Sequence, residues 1–215
     1  CESLIKFSKK LMDMDFFSIT QQKQQGLPLP GDYYLVSDTE ETLKERMVND
    51  DSFVRAYCKN NPHTGKSIST KLWVGDYHSE DEFVKLAEKS KGIKRIAVLR
   101  ADVDNLGHAF VAGFPDKYMT LSRTATLSRQ LSLFFKYHIK SILEKGSYYI
   151  DHEEGHPRHA AIVYSGGDDL FIVGAWNDVI ELAVDIKDSL KAYTENTLTL
   201  SGGIGLYTST YPISV

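Results

Sequence analysis

The stretch Tyr164–Gly174, YSGGDDLFIVG, places two glycines and two adjacent aspartates between two apolar runs. A Gly-Gly pair in this setting predicts a tight β-hairpin, because primed two-residue turns need a positive φ, which glycine adopts without steric cost. Asp168 and Asp169 then lie where the second strand begins. Neighbouring carboxylates repel each other and aspartate is rare in strands, so we expect a compensating group beside them.

A second strand brings further acids towards this hairpin. The segment Lys94–Gly107, KRIAVLRADVDNLG, contains a four-residue apolar run followed by Asp102 and Asp104. From there the predicted order is strand, helix, hairpin, helix, strand, which is the split βαβ or ferredoxin-like arrangement, an α+β fold with helices on one face of an antiparallel sheet. The end of the first strand then lies beside the hairpin tip, so Asp102 should meet Asp168 and Asp169.

Three carboxylates from two strands favour a site for hard divalent cations such as Mg²⁺ or Mn²⁺, which prefer oxygen ligands and remove the repulsion. Two such ions about 4 Å apart form a nucleotidyl-transfer centre. Strand alternation points Asp168 and Asp169 to opposite faces, so we expect Asp102 and Asp169 as the main ligands and Asp168 as a second or water-mediated one. Asp104 lies past the strand end, so we expect it to be either a further ligand or the cap of the following helix. The alternative is that these acids only cap a solvated hairpin.

Composition limits the remaining possibilities. The net charge of −4 over 215 residues argues against a freestanding nucleic-acid-binding protein, so a polyanionic ligand needs a metal ion or a basic partner. The sequence contains neither the roughly 18 apolar residues of a membrane span nor a signal peptide. Two cysteines, Cys1 and Cys58, make no disulfide framework and predict a reducing, cytoplasmic compartment. Because the chain begins without Met and ends in an apolar stretch, we expect a piece of a longer protein.

The first part of the chain differs in character from the second. We predict a small β-rich domain over 1–93 and the ferredoxin-like domain over 94–215. Apolar runs at Tyr33–Ser37, Phe53–Cys58 and Lys71–Tyr77 predict strands of a small sheet. The sequence of this first domain contains no catalytic motif, so we expect a structural role for it.

A polar segment before the hairpin contains a group of potential metal ligands. His152, His156 and His159 stand there with Asp151 and Glu153. They resemble a metal-binding group, but no predicted helix fixes their geometry. We therefore expect a solvated loop and leave the role of these histidines open.

Together, LRADVDNLG (99–107) and YSGGDDLFIVG (164–174) closely resemble the large, polymerase-like subunit of type III CRISPR effector complexes, in particular the Csm branch. The resemblance covers 94–211 as the second Palm domain and, more loosely, 1–92 as the linker region before it. In that family two Palm domains hold two ATP molecules. The GGDD Palm joins them through 3′–5′ linkages into cyclic oligoadenylates when target RNA is bound.

The resemblance implies a nucleotidyltransferase with Mg²⁺ or Mn²⁺ as cofactor and ATP as substrate. It carries over Asp102, Asp168 and Asp169 as catalytic and metal-binding residues. Three turn residues, whose amides and hydroxyl meet phosphate or ribose, are carried over as the nucleotide-binding group: Ser165, Gly166 and Gly167. The implied partners are the other subunits of the complex, guide RNA and target RNA, with no membrane.

The same resemblance sets limits on what this piece does. The sequence lacks an HD dyad, so we do not expect the family's single-stranded DNA nuclease here, and without the first Palm we expect the isolated piece to be inactive. The family's linker usually carries a zinc-binding cysteine cluster, but Cys1 alone cannot hold zinc, so we predict no zinc site. Two other functions remain open. One is a purine or dinucleotide cyclase of the related group, and the other is a scaffold for neighbouring subunits and guide RNA.

Overall fold

The structure, a computed structural model, shows two compact units, Cys1–Val74 and Gly75–Val215. It describes residues 7–8, 10, 13–21, 23, 26–61, 70–150 and 156–212. Four of the residues singled out above lie outside this set: Cys1, Asp151, His152 and Glu153. The segment 75–93 packs with the second unit.

The first unit is built around a five-stranded sheet. Its elements are β1 Phe16–Thr20, β2 Leu27–Leu29, β3 Tyr33–Asp38, α1 Glu40–Asn49, β4 Phe53–Lys59 and β5 Thr70–Leu72. The strand order is β2-β3-β1-β4-β5, antiparallel except for the parallel β4–β5 pair. The predicted strands at 33–37 and 53–58 are confirmed, whereas the one at 71–77 is strand only at its beginning, and β1 and α1 were not predicted.

The second unit carries a four-stranded antiparallel sheet. Its elements are α2 Phe83–Glu88, β6 Ile96–Val103, α3 Leu106–Ala112, α4 Leu121–Leu133, α5 Ile139–Glu144, β7 Ala160–Ser165, β8 Asp169–Ala175, α6 Trp176–Tyr193 and β9 Leu200–Tyr207. A π-helical segment, Phe134–His138, joins α4 to α5. The strand order is β7-β8-β6-β9, which confirms the predicted ferredoxin-like α+β fold.

Alternation along β6 separates a helix-covered face of this sheet from an open face. Ala97, Leu99 and Ala101 are buried in the main core, whereas Arg100 and Asp102 are exposed. Successive strand residues point to opposite faces, so burying one set directs the other set outwards. Each fully buried side chain of leucine size contributes about 1.5–3 kcal/mol, which holds the register of β6 firmly.

The sheet face that carries Arg100 and Asp102 is covered at one end by the short helix α2. Its Leu86 and Ala87 pack against Ile96 of β6 and Val173 of β8. Further along β6, beyond the reach of this helix, the same face carries exposed side chains. An open cavity therefore remains where β6 ends and β8 begins.

Candidate active site

Three residues, Gly166–Asp168, connect β7 to β8, rather than the two-residue turn expected. The Gly166 amide donates to the Asp169 carbonyl at 2.9 Å and closes the turn. Neither glycine of the turn has a positive φ. A Cβ on Gly166 would instead clash with the Asp169 carboxylate and lie 2.6 Å from the Tyr164 hydroxyl. The predicted hairpin is confirmed, but the glycine serves close approach rather than backbone conformation, because its missing side chain leaves room for the Asp169 carboxylate and the Tyr164 hydroxyl.

The sheet register brings the predicted acids to one place. Asp102 of β6 lies directly opposite Asp169 of β8, and cross-strand partners project from the same face. The Val103 amide also donates to the Asp168 carbonyl at 3.1 Å, which joins the end of β6 to the turn. Asp102, Asp168 and Asp169 all line one cavity of about 570 Å³, together with Arg100, Tyr164, Phe171 and Ser201. The carboxylates face an open space in which a cation has room.

Tyr164 is a cavity residue that the sequence analysis missed. The negative charge of Asp169, partial loss of hydration and a hydrogen bond to Asp169 together raise the pKa of the Tyr164 phenol. Tyr164 therefore stays protonated and donates to that carboxylate. The register of β7 shifts between Ile162 and Tyr164. Such a bulge re-aims a side chain, so simple alternation along the strand does not reveal the orientation of Tyr164.

Arg100 is a second residue of the cavity that was not predicted. It lies two residues before Asp102 and so on the same face of β6. Its guanidinium carbon lies 4.7 Å from the centroid of the Phe171 ring, its cross-strand partner. On its other side the partner is Gly203, beside which a Cβ would meet no atom within 4 Å. The site thus holds a positive charge next to its carboxylates, and the two-residue spacing was the signal that could have revealed it.

Asp104 does not cap helix α3. The helix has Asn105 at its N-cap, with no side-chain cap bond. The Thr199 hydroxyl donates to Asp104 Oδ2 at 2.5 Å, and the Asp104 amide donates to the Thr199 carbonyl at 2.9 Å. Hydrogen bonds from Ser201 and Thr199 lower the pKa of Asp104. The capping interpretation is wrong, since this carboxylate joins the end of β6 to the segment that enters β9.

Two of the three turn residues predicted to bind nucleotide donate a hydrogen bond to another residue of the protein. The Ser165 hydroxyl donates to the Phe135 main-chain carbonyl, within the π-helical segment. The Gly166 amide is used within the turn. A Cβ on Gly167 would have the Ser132 hydroxyl as its nearest neighbour, at 3.7 Å, so this residue stands in open surroundings. The binding of a nucleotide by Ser165, Gly166 and Gly167 stays a prediction.

The histidine segment is not the solvated loop expected from the sequence. His156 and His159 are half-buried, and both approach the buried Asp178 of α6. In the part of the chain that the structure describes, these three form the group of potential metal ligands whose ligand atoms all lie within 4.8 Å of one another. The three aspartates of the cavity form a wider arrangement. The expectation of a solvated loop is therefore wrong for His156 and His159.

Comparisons with known proteins identify the ferredoxin-like unit. Residues 95–215 match the family model of Cas10/Cmr2, second palm domain. The chain belongs to the Cas10 family. Over the whole chain it is 40% identical to the "CRISPR system single-strand-specific deoxyribonuclease Cas10/Csm1 (subtype III-A)" of Mycobacterium tuberculosis and 39% identical to that of Enterococcus italicus. It spans 27% of the length of each of these relatives.

Solved structures of Cas10/Csm1 proteins agree with this assignment. The Csm1-Csm4 subcomplex of a type III-A CRISPR-Csm interference complex superimposes with a TM-score of 0.76 and 28% identity, over 99% of this chain and 31% of that chain. The Csm1-Csm4 cassettes in complex with one ATP and with cA4 give TM-scores of 0.75 and 0.74, again at 28% identity. They cover 99% of this chain and 31% and 30% of those chains. The family resemblance drawn from the two motifs is confirmed, and the ferredoxin-like unit is a palm domain.

The structure also bears on membrane association. None of the helices in the described part of this Cas10 chain has both the length and the apolar character that crossing a bilayer requires.

Proposed function

We propose that this chain forms the linker region and the catalytic palm of a type III-A CRISPR effector subunit, and that its palm joins ATP into cyclic oligoadenylates when target RNA binds. The observation that carries the proposal is the pairing of Asp102 with Asp169, beside Asp168, at an open cavity of the sheet. Solved Csm1-Csm4 relatives in complex with one ATP, AMPPNP, pppApA and cA4 support it.

The donor set at the cavity suits Mg²⁺ or Mn²⁺. Asp102 and Asp169 are exposed carboxylates on one face of the sheet, and hard cations prefer oxygen ligands. Asp168 lies at the end of the turn, where it can hold the ions directly or through water. When bound, the ions would activate the attacking 3′-hydroxyl and neutralise the triphosphate. The mutual repulsion of the three acids is a physical reason for them to take up divalent cations.

The other cavity residues orient the acids and the substrate. Tyr164 donates to Asp169 and so limits the rotation of that carboxylate. Arg100, held against the Phe171 ring, places a positive charge where the negative phosphates of ATP would lie. Because the chain is net negative, this local cation and the metal ions together allow a polyanion to approach.

We propose the domain organisation, the partners and the cellular location on the same basis. The domains are a linker region over 1–93 and a palm over 94–215, with 75–93 packed on the palm side. The partners are the other subunits of the type III complex, guide RNA and target RNA, in the cytoplasm. Support comes from the Csm4 subunit present in the solved Csm1 complexes.

The test uses the full-length subunit in its assembled complex, with target RNA, Mg²⁺ and ATP. Changing Asp168 and Asp169 together to Ala should lower cyclic oligoadenylate output at least about 100-fold, since metal ions supply several kcal/mol of transition-state stabilisation. Chromatography of the products measures the output. Asp188→Ala, an exposed acid of α6, is the matched control and should retain full activity.

Three results would contradict the proposal. Undiminished synthesis in the double variant would remove the acids from catalysis. Magnesium-dependent ATP binding that is unaffected by Asp102→Ala would favour a scaffold. Conversion of ATP or GTP by the isolated chain without RNA would favour a purine or dinucleotide cyclase.

A further inference from the structure

A second group of chemically active side chains lies at the opposite end of the palm sheet from the aspartates. His156 and His159 precede β7, and Asp178 lies in the first turn of α6, after β8. The length of β7 separates this end of the sheet from the GGDD turn by about 20 Å. We propose that His156, His159 and Asp178 bind a divalent transition-metal ion of the zinc class, at a site independent of the catalytic acids.

The main chain holds the two histidines in place before any ion binds. The His159 amide donates to Asp178 Oδ2 at 2.6 Å, and the Ala175 amide donates to the His159 carbonyl at 2.8 Å. At the other histidine, the Tyr149 hydroxyl donates to the His156 carbonyl at 3.2 Å. A ligand set that is fixed in advance loses little conformational entropy when it binds an ion. The segment thus has the preorganisation that a flexible histidine loop lacks.

The ring nitrogens are arranged as in metal-bound imidazoles. His159 Nδ1 lies 3.0 Å from Asp178 Oδ2, and His156 Nδ1 lies 3.2 Å from the Pro157 carbonyl oxygen. His159 Nδ1 and Asp178 Oδ2 are thus spaced as neighbouring ligands of one ion, and His159 would bind it through Nδ1 without a proton on that atom. A proton on His156 Nδ1 satisfies the Pro157 carbonyl and leaves His156 Nε2 as an acceptor, and such pairing through the second nitrogen is the usual way in which a metal-binding imidazole is oriented.

The spacing of the ligand atoms suits a single ion. Metal–ligand bonds of 2.0–2.2 Å in tetrahedral geometry place neighbouring ligand atoms about 3.3 Å apart. The ligand atoms of His156, His159 and Asp178 already lie within 4.8 Å of one another. The His156 side chain is half-buried and lies beside the Tyr149 ring, with the ring centroids 5.0 Å apart.

The buried charges around Asp178 also favour the binding of a divalent cation. Among the residues that the structure describes in the second unit, the buried charged side chains are one cation, Arg158, and three acids of α6: Asp178, Glu181 and Asp185. Arg158 forms ion pairs with Glu181 and Asp185. Asp178 faces the His159 ring, which is a counter-charge only when it is protonated. A divalent ion beside Asp178 would supply positive charge to this group of acids, where incompletely compensated buried charge is costly.

Asp178 is held in one orientation because both of its carboxylate oxygens accept hydrogen bonds. The His159 amide donates to Oδ2 at 2.6 Å. The Asn177 side-chain amide donates to the second oxygen of Asp178 at 2.6 Å. The carboxylate is thus a fixed negative group facing two imidazoles.

The donor set selects the class of metal. Two imidazole nitrogens and one carboxylate suit zinc-class ions, whereas Mg²⁺ prefers an all-oxygen octahedral shell. Three protein ligands leave a fourth position for water. Because the ligands come from the start of β7 and the start of α6, the ion would connect these two elements. The palm would then hold two metal sites of different selectivity.

The test uses the full-length subunit, stripped with a chelator and then loaded with Zn²⁺ or with Co²⁺ as a spectroscopic probe. His156→Ala should lose one equivalent of zinc per chain relative to the unchanged protein, measured by elemental analysis, together with the corresponding share of the visible bands of tetrahedral cobalt. This variant keeps the bond between His159 and Asp178, so the fold is retained. His156→Cys should restore the ion, because a thiolate is also a zinc ligand.

Two controls isolate the site. His78→Ala removes an exposed histidine of the same unit and should keep the full zinc content. Asp102→Ala should keep it too, since that residue belongs to the other end of the sheet. Equal zinc content in the unchanged and His156→Ala proteins would overturn the proposal. Displacement of the ion by millimolar Mg²⁺, or its loss in Asp102→Ala, would also overturn it.

Discussion

Asp102 and Asp178 are carboxylates at opposite ends of one palm sheet, and their surroundings differ in almost every respect. Asp102 is exposed, faces a cavity of about 570 Å³ and shares it with two further aspartates. Asp178 is 1% exposed and bonds to His159 and Asn177. The difference teaches that burial, more than residue type, divides the acids of this domain. The exposed acids stay available to substrate and exchangeable ions, whereas the buried ones must be satisfied by the protein or by a tightly held ion.

The largest expected effect concerns the buried charged residues at the Asp178 end of the sheet. Arg158→Ala removes the buried cation that pairs with Glu181 and Asp185, so we expect a loss of about 3–5 kcal/mol in the free energy of unfolding. Denaturant titration monitored on the palm measures this change. The control is Arg95→Ala, an exposed arginine of the same unit, with an expected effect within about 0.5 kcal/mol. A loss below about 1 kcal/mol in Arg158→Ala would show that the buried acids are compensated in another way.

Two matched glycine substitutions test the exposed aspartate end of the sheet. Gly166→Ala should lower the affinity for Mg²⁺-ATP by about 10-fold or more, because the new Cβ displaces the Asp169 carboxylate and the Tyr164 hydroxyl. Gly167→Ala has its nearest neighbour at 3.7 Å and should stay within about 2-fold. Titration calorimetry of the assembled complex measures both. Equal effects of the two substitutions would argue against a packing role for Gly166.

A smaller effect on ATP affinity is expected when the positive charge beside the exposed aspartates loses its support. Phe171→Leu removes the ring on which the Arg100 guanidinium lies, and an exposed cation–π contact contributes about 0.5–1 kcal/mol. We expect ATP affinity to fall about 2- to 5-fold in this variant. The measurement is the same titration. If Arg100→Ala leaves the affinity unchanged, then neither residue contributes to ATP binding, and the expectation for Phe171→Leu fails with it.

The smallest effect concerns acid stability at the buried end. The pKa of Asp178 is lowered in the folded protein from an ordinary value of 3.8. Its stabilising contribution is therefore fully present above pH 3.8 and is lost as the pH falls through the lower, folded-state pKa. The stability gap between the unchanged protein and Asp178→Asn should then be constant at neutral pH and narrow in acid. Thermal melts at several pH values test this, and a gap that widens in acid would contradict it.

Several features of the fold and site followed from the sequence alone. The apolar run that begins β6 and the order of elements predicted the ferredoxin-like sheet, and that topology then placed Asp102 beside the aspartates of the hairpin. The period of two along β6 contained the signal for Arg100. In each case the information was local, either a strand periodicity or a short connection.

Other features depended on neighbours distant in the chain. The space that Gly166 leaves is occupied by the side chains of Tyr164 and Asp169, and the orientation of Tyr164 follows a register shift in β7. His159 was assigned to a solvated loop because its partner, Asp178, lies 19 residues further on, in another element.

For the palm, the sequence by itself determined the main strand and helix pattern, the sheet order and the set of acids at the GGDD turn, because apolar periodicity controls which faces can be buried. Only the tertiary structure decided which polar groups remain exposed and which are enclosed. That outcome depends on how far each helix extends over the sheet. Helix α2 stops short of Asp102, whereas Asp178 is carried into the interior by α6 itself.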